Sequence, residues 1–233
     1  MSPEVLAVLD NPVWAALNGP HRAFAEHGPA GLAARYTGDA SPFAALSDPE
    51  DPRAWADLAA LAGPGEEVWV TGLLTPPPGW ETVAAISGVQ LDGRAVRAEA
   101  APEAVPLGPG DVPEMLELVG LTRPGPFMAR TVELGTYLGI RHEGRLVAMA
   151  GERMRPTGWS EISAVCTHPD HRGRGLAGRL IRAVAAAVRE RGDSPFLHAA
   201  AENTEAVRLY GSMGFALRRR PDFLGLRTPA NGD

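Results

Sequence analysis

Apolar positions recur at helical spacing in four places along the chain. Leu176, Leu180, Ile181, Val184 and Val188 share one face, Arg179, Arg182, Arg189 and Arg191 lie largely off it, and Gly192 ends the run. Asn203 stands as a cap before Ala206, Leu209, Tyr210 and Met213, and Gly214-Phe215 closes that helix and starts a final strand. Asp51 and Pro52 open a third helix whose apolar face is Trp55, Leu58 and Leu61, stopped by Gly63. Asp111 caps a fourth, with Met115, Leu116, Val119 and Leu121 as its apolar positions, and Pro124 to Leu134 reads as a shorter fifth. Between them lie short β-branched or apolar runs: Val68–Thr71, a strand within Thr82–Leu91, Val105–Leu107, Ser160–Thr167 and Phe196–Ala200. Tyr137–Ile140 and Leu146–Ala150 form a hairpin through His142-Glu143-Gly144, while Arg22–Glu26 and Leu32–Tyr36 are further strand candidates. The order predicts a mixed α/β protein. Its Ala-, Pro- and Gly-rich stretch from Arg97 to Gly110 divides a smaller region, 1–100, from a larger one, 104–228, with a frayed tail after Thr228.

Composition narrows the function classes. With 233 residues, 45% hydrophobic and 21% charged, the chain has the profile of an ordinary globular protein. All 22 basic residues are arginine, so lysine chemistry is excluded. A net charge of -6 argues against a nucleic-acid partner, because phosphate backbones are bound by clustered positive charge. The single cysteine, Cys166, excludes a disulfide framework and a cysteine zinc site, and its mid-strand position reads as buried packing. No signal-peptide pattern and no membrane-length apolar run are expected, which makes the cytoplasm the default compartment, without a metal or membrane partner. His21 and His27 are isolated and receive no role.

The chemistry concentrates between Ala164 and Leu180, where Val165-Cys166-Thr167 runs into His168-Pro169-Asp170-His171-Arg172-Gly173-Arg174-Gly175-Leu176-Ala177-Gly178. This is a strand, a glycine-rich turn and a helix start. Amides at such a start lack intrahelical partners and carry partial positive charge, so the segment suits a phosphate. Gly173-x-Gly175-x-x-Gly178 matches a dinucleotide fingerprint literally. In that fold, however, the strand feeds almost directly into the first glycine, whereas five residues, four of them polar, intervene here. A P-loop is excluded because no lysine follows the glycines.

Arg172-Gly173-Arg174-Gly175-Leu176-Ala177 resembles the Arg/Gln-x-x-Gly-x-Gly/Ala signature of the GNAT superfamily of acyl-CoA-dependent N-acyltransferases. Asn203-Thr-Glu-Ala206-Val-Arg-Leu209-Tyr210-Gly-Ser-Met213-Gly214-Phe215 resembles that family's second motif, at the usual distance downstream. The resemblance covers about residues 104 to 225. It implies a central, mostly antiparallel mixed sheet flanked by helices, and acetyl-CoA as acyl donor to a primary amine in a ternary complex. It further implies that Val165, Cys166 and Thr167 pair with the pantetheine arm. Arg172, Gly173, Arg174, Gly175, Leu176, Ala177 and Gly178 would cradle the pyrophosphate, Asn203 would reach the cofactor as well as cap its helix, and Tyr210 would be the general acid toward the departing thiolate.

Glu161 reads as a surface strand carboxylate and is also the candidate base, on the same face as Ser163 and Val165 by alternation. His168 and His171 are expected to face solvent. Two further expectations attach to the resemblance. The first hundred residues are compatible with a degenerate second copy of the fold that helps shape the acceptor pocket. A non-catalytic acyl-CoA-binding regulatory module is the alternative to an enzyme.

Overall fold

A computed structural model describes residues 7–230. The expected tail beyond Thr228 therefore falls partly outside the described residues, as do residues 1–6 of the amino-terminal segment that carries no signal-peptide pattern. Among the described residues no helix is long and apolar enough to cross a membrane.

Twelve strands form one sheet: β1 (Ala25–His27), β2 (Ala33–Tyr36), β3 (Phe43–Leu46), β4 (Glu67–Gly72), β5 (Glu81–Asp92), β6 (Val105–Leu107), β7 (Tyr137–His142), β8 (Arg145–Glu152), β9 (Trp159–Thr167), β10 (Ser194–Ala200), β11 (Ala216–Arg219) and β12 (Asp222–Arg227). Among the described residues five α-helices flank it: α1 (Pro12–Leu17), α2 (Pro52–Ala62), α3 (Val112–Thr122), α4 (Leu176–Glu190) and α5 (Thr204–Ser212). The spatial order is β1-β2-β3-β4-β12-β5-β10-β9-β8-β7-β6, with β11 paired to β5. Every pair is antiparallel except β3 with β4 and β9 with β10.

Those two exceptions expose a repeat. In β1-β2-β3-α2-β4, antiparallel strands are followed by a helical crossover to a parallel neighbour, and β7-β8-β9-α4-β10 follows the same course. The two units then trade neighbours. Strand β5, which follows β4 in the chain, pairs through Gly88–Asp92 with β10, while the carboxy-terminal β12 lies between β4 and β5. The regions on either side of the Arg97–Gly110 stretch are thus joined by backbone hydrogen bonds.

Each helix buries the face its sequence marks. Leu176, Leu180, Ile181, Val184 and Val188 of α4 pack on Ile140, Val147, Ala150, Ile162 and Leu197. On the opposite sheet face, Met115 and Leu118 of α3 meet Tyr137, Met149, Ala164 and Cys166. Helix α2 packs Trp55 and Leu58 on Val68, Val70 and Leu226, and α1 packs Val13 and Leu17 beside Tyr36, Phe43 and Trp159. Burying each such side chain contributes about 1.5–3 kcal/mol.

Several local expectations are corrected. Pro124 to Leu134 is a loop with one 3-10 turn at Thr131–Leu134, because Pro124 and Pro126 flank Gly125 at φ 130. Asp111 does not cap α3 with its side chain; its carboxylate accepts from the Gly108 amide at 2.9 Å and pairs with Arg141 at 2.6 Å. Leu116 and Leu121 are exposed, so the buried stripe of α3 is Met115 and Leu118. Arg22–Phe24 is a 3-10 turn, with β1 beginning at Ala25, and the expected single terminal strand is two, β11 and β12. Helix α1 and strand β3, short and rich in alanine, carry too little periodicity to be seen in the sequence.

Candidate active site

The site is built where β9 and β10 part. Their parallel pairing runs only from Ser194↔Trp159 to Phe196↔Glu161, after which the strands diverge. A break in β9 accompanies the split: Ala164 adopts φ 51, and the register against β8 shifts between Met149↔Cys166 and Gly151↔Ser163. This is a β-bulge, which bends its strand and reverses side-chain parity beyond it. Ile162 and Val165 consequently face α4, while Ala164 and Cys166 face α3. The expected alternation placing Val165 on the face of Glu161 is overturned for that reason.

A cleft of about 880 Å³ opens from the split. It is lined by Val165, Cys166 and Thr167 of β9, by Arg172, Gly173, Gly175, Leu176, Ala177 and Gly178, and by Asn203 and Tyr210. Among the described residues the edge of β9 that faces β10 has no strand partner beyond Ile162, and the Thr167 hydroxyl is buried without a hydrogen bond. At the turn, Gly173 and Gly175 sit at φ 74 and 73, the left-handed region that glycine enters without strain. Among the described residues the amides from Gly173 to Gly178 have no backbone or side-chain acceptor, since helical bonding resumes with Arg179 N–H to the Gly175 carbonyl. Consecutive free amides in such a conformation make an anion-binding concavity. A free strand edge, an orphaned hydroxyl and an amide nest in one cleft fit an extended arm ending in phosphates.

Asn203 caps α5, its Oδ1 accepting from the Ala206 amide at 3.1 Å, and this places Tyr210 two turns on at the cleft wall. Tyr210 is 9% exposed, its ring edge-on to Phe215 at 5.8 Å, and burial pushes its phenol up to about 12. Cys166 is buried as expected, and burial raises its thiol to about 11.

Glu161 is not a surface carboxylate; it is completely buried. Arg153 donates to it from Nε to Oε2 at 2.9 Å and from Nη2 to Oε1 at 2.7 Å, and His198 Nδ1 lies 2.8 Å from Oε1. Gln90 Nε2 stands 3.0 Å from His198 Nε2 while Gln90 Oε1 accepts from Arg218. This network puts the imidazole hydrogen on Nδ1, donated to Glu161. Burial by itself would push the Glu161 carboxyl up, but Arg153 and the hydrogen bond from His198 outweigh it and hold it at about 2. The pair pins β8, β9 and β10 together at the root of the split.

Residues 137–224 match the FR47-like protein family. A GNAT-family structure from Novosphingobium aromaticivorans is 41% identical and superposes with a TM-score of 0.85, covering 96% of this chain and 99% of its own. The chain belongs to the GNAT family. The GCN5-related N-acetyltransferase from Kribbella flavida (16% identity, TM-score 0.64, 97% and 96% coverage) shares the fold. So does a GCN5-related N-acetyltransferase-like protein from Streptococcus suis (16%, 0.58, 95% and 97%). None of the curated proteins compared with the chain matches it.

Within this GNAT fold the two sequence motifs converge on one cleft, but not every residue of them lines it. Arg172 lines the cleft, its Nε donating to the Thr167 carbonyl at 3.3 Å, whereas Arg174 turns back to the Asp170 carbonyl at 3.3 Å. His171, expected in solvent, also lines the cleft; desolvation and the neighbouring Arg174, His142 and His168 lower its pKa. Phe43, Trp69 and Ile86 from the amino-terminal region, Arg153, His198 and Phe223 complete one end, and the loop from Thr122 to Pro126 contributes further wall. No local motif marks these residues; strand pairing across the chain assembles them.

Proposed function

We propose that the protein transfers an acetyl group from acetyl-CoA to a primary amine by direct attack in a ternary complex. The observation that carries this reading is the junction, in one cleft, of the amide nest at Gly173–Gly178, the unpaired edge of Val165–Thr167 and the Tyr210 phenol. The nest would hold the pyrophosphate and the β9 edge the pantetheine amides, which lays the thioester along β9 beside α5. The neutral amine nitrogen attacks the thioester carbonyl, the C–S bond breaks as the C–N bond forms, and the nitrogen gives up one proton while the sulfur gains one.

Tyr210 is the general acid in this scheme. Held near 12, it stays protonated throughout the neutral range and meets the departing sulfur as a hydrogen-bond donor. A thiol is the stronger acid by about 3 units, so the donated hydrogen bond supplies most of the stabilisation and the amine proton restores the phenol. Glu161, ionised and engaged at both oxygens, serves to position the strands around the cleft.

The amino-terminal unit reads as a degenerate copy of the fold. Where the catalytic unit carries Arg-Gly-Arg-Gly after its strand, it carries Ser47-Asp48-Pro49-Glu50-Asp51, without glycine and with three carboxylates. Release of free CoA thiol in the presence of amines tests the activity, and Tyr210→Phe should lower kcat about 100-fold or more while the Kd for acetyl-CoA changes less than about threefold. Unchanged turnover in Tyr210→Phe removes the leaving-group role. Tight acetyl-CoA binding without CoA release across a broad amine panel would instead favour a binding module.

A further inference from the structure

The end of the cleft away from the amide nest carries a guanidinium with one edge committed and the other open. Arg153 spends the edge formed by Nε and Nη2 on Glu161, in a side-on, two-point contact. Its guanidinium carbon lies over the Phe43 ring, 4.9 Å from the centroid. Its remaining nitrogen, Nη1, makes no hydrogen bond among the described residues. Nη1 is not fully buried, and Arg153 lines the cleft. The end-on edge formed by Nη1 and the second hydrogen of Nη2 is therefore the part of this ion pair presented to a ligand.

Three features make that edge more than the back of a structural ion pair. Glu161 is wholly buried behind Arg153, so the pair forms a dipole with its positive end toward the cleft. The guanidinium is held by Glu161 on one edge and lies over the Phe43 ring, so its donors need little further ordering when a partner arrives. Two parallel N–H groups on a planar fork match the two oxygens of a carboxylate. Around the fork the wall is apolar: Phe43, Trp69, Ile86 and Phe223. His198 directs Nδ1 at Glu161 and Nε2 at Gln90, so its polar atoms are turned to the network and not to a ligand's carboxylate.

Building on the acyl-transfer reading, we propose that the acceptor is an amine that also carries a carboxylate and an apolar body, the carboxylate docking on the open edge of Arg153. Free amino acids with large apolar side chains are the simplest members of that class. Phe43, Trp69 and Ile86 come from the amino-terminal unit, which gives that unit its part in the site: it supplies the wall against which the acceptor's apolar body lies.

Matched acceptors test this. CoA release is measured with L-phenylalanine against L-phenylalaninamide and with L-leucine against L-leucinamide, each rate expressed per unprotonated amine because a neighbouring carboxylate raises the amine pKa. Each acid should exceed its amide at least tenfold in kcat/KM. Arg153→Lys keeps a cation for Glu161 but removes the fork, and should cut that ratio to about threefold or less. Equal use of acid and amide by the wild type overturns the proposal, and an undiminished ratio in a folded Arg153→Lys protein overturns the assignment to Arg153. If no amine releases CoA, the acyl-transfer reading falls separately. Calorimetric titration of the same pairs into the CoA-saturated protein then decides the docking site, tenfold tighter binding of the acids supporting it and equal binding overturning it.

Discussion

Replacing Glu161 by glutamine leaves the shape of the network almost untouched and removes its charge, which isolates what the carboxylate contributes. Three donors converge on two oxygens: Arg153 Nη2 and His198 Nδ1 on Oε1, and Arg153 Nε on Oε2. A glutamine can keep its oxygen at the first position, but its NH₂ then faces the Arg153 Nε–H, and the buried guanidinium loses its counter-charge. Breaking a buried pair in this way costs about 3–5 kcal/mol. The titration of Glu161 leads to a similar figure. Its pKa is 4.5 in the absence of the fold and about 2 within it, and at about 1.4 kcal/mol per unit the ionised form favours the native state by about 3 kcal/mol. Because the folded pKa is the lower one, this contribution is fully present above pH 4.5 and disappears as pH falls through 4.5 toward 2. Urea unfolding at pH 7 should therefore show Glu161→Gln less stable by about 3 kcal/mol, a midpoint shift of about 1–2 M at m values of about 2–3 kcal/mol/M. The gap should narrow as pH is lowered below 4.5. A loss under about 1 kcal/mol, or a gap that stays constant into the acid range, would refute the claim that this ion pair holds the root of the cleft.

Other expected outcomes follow from the same geometry. Gly175→Ala places a side chain at φ 73, costing about 1–2 kcal/mol of stability and weakening acetyl-CoA binding at least tenfold; unchanged affinity by calorimetry would remove the amide nest as the phosphate site. Gly178→Ala separates the two effects, because a Cβ there meets only Arg182 Nη1 at 3.7 Å, so binding should weaken while the melting temperature holds. His21 is buried between the Tyr36 hydroxyl at 2.8 Å and the Leu134 carbonyl at 2.9 Å, and burial lowers its pKa from 6.5 to about 4. The unfolded chain binds the extra proton first, so stability should decline as pH falls from 6.5 toward 4, and an NMR titration placing His21 near 6.5 would contradict this. Titration with acetyl-CoA should saturate at one molecule per chain. The smaller cleft at the β3–β4 divergence, about 280 Å³ and lined by Asp10 and Asp48, has carboxylates where the catalytic unit has its nest, and a second equivalent bound there would contradict the degenerate reading.

Local chemistry determined the amide nest by itself. Glycines at 173, 175 and 178, the Asn203 cap and the face of α5 each act over one or two turns, and residues that act locally can be read in order along the chain. The helices α2 and α4 were legible for the same reason: cap, apolar stripe and terminating glycine all lie within a dozen or so residues. Three things were not written locally. The bulge at Ala164 reverses the parity of β9 through one left-handed residue that carries no glycine to announce it. Glu161 is buried because Arg153, just past the end of β8, and His198 on β10 neutralise and bond it, and nothing within β9 signals that company. The wall of Phe43, Trp69, Ile86 and Phe223 exists because β12 inserts between β4 and β5 and β5 continues to β10, so residues up to 180 positions apart in the chain meet at one end of the cleft. Sequence by itself determined the nest of amides and the capped helix beside it. Only the tertiary pairing of distant strands decided what stands at the other end of the cleft, because that end is made of side chains that have no neighbours in sequence to betray them.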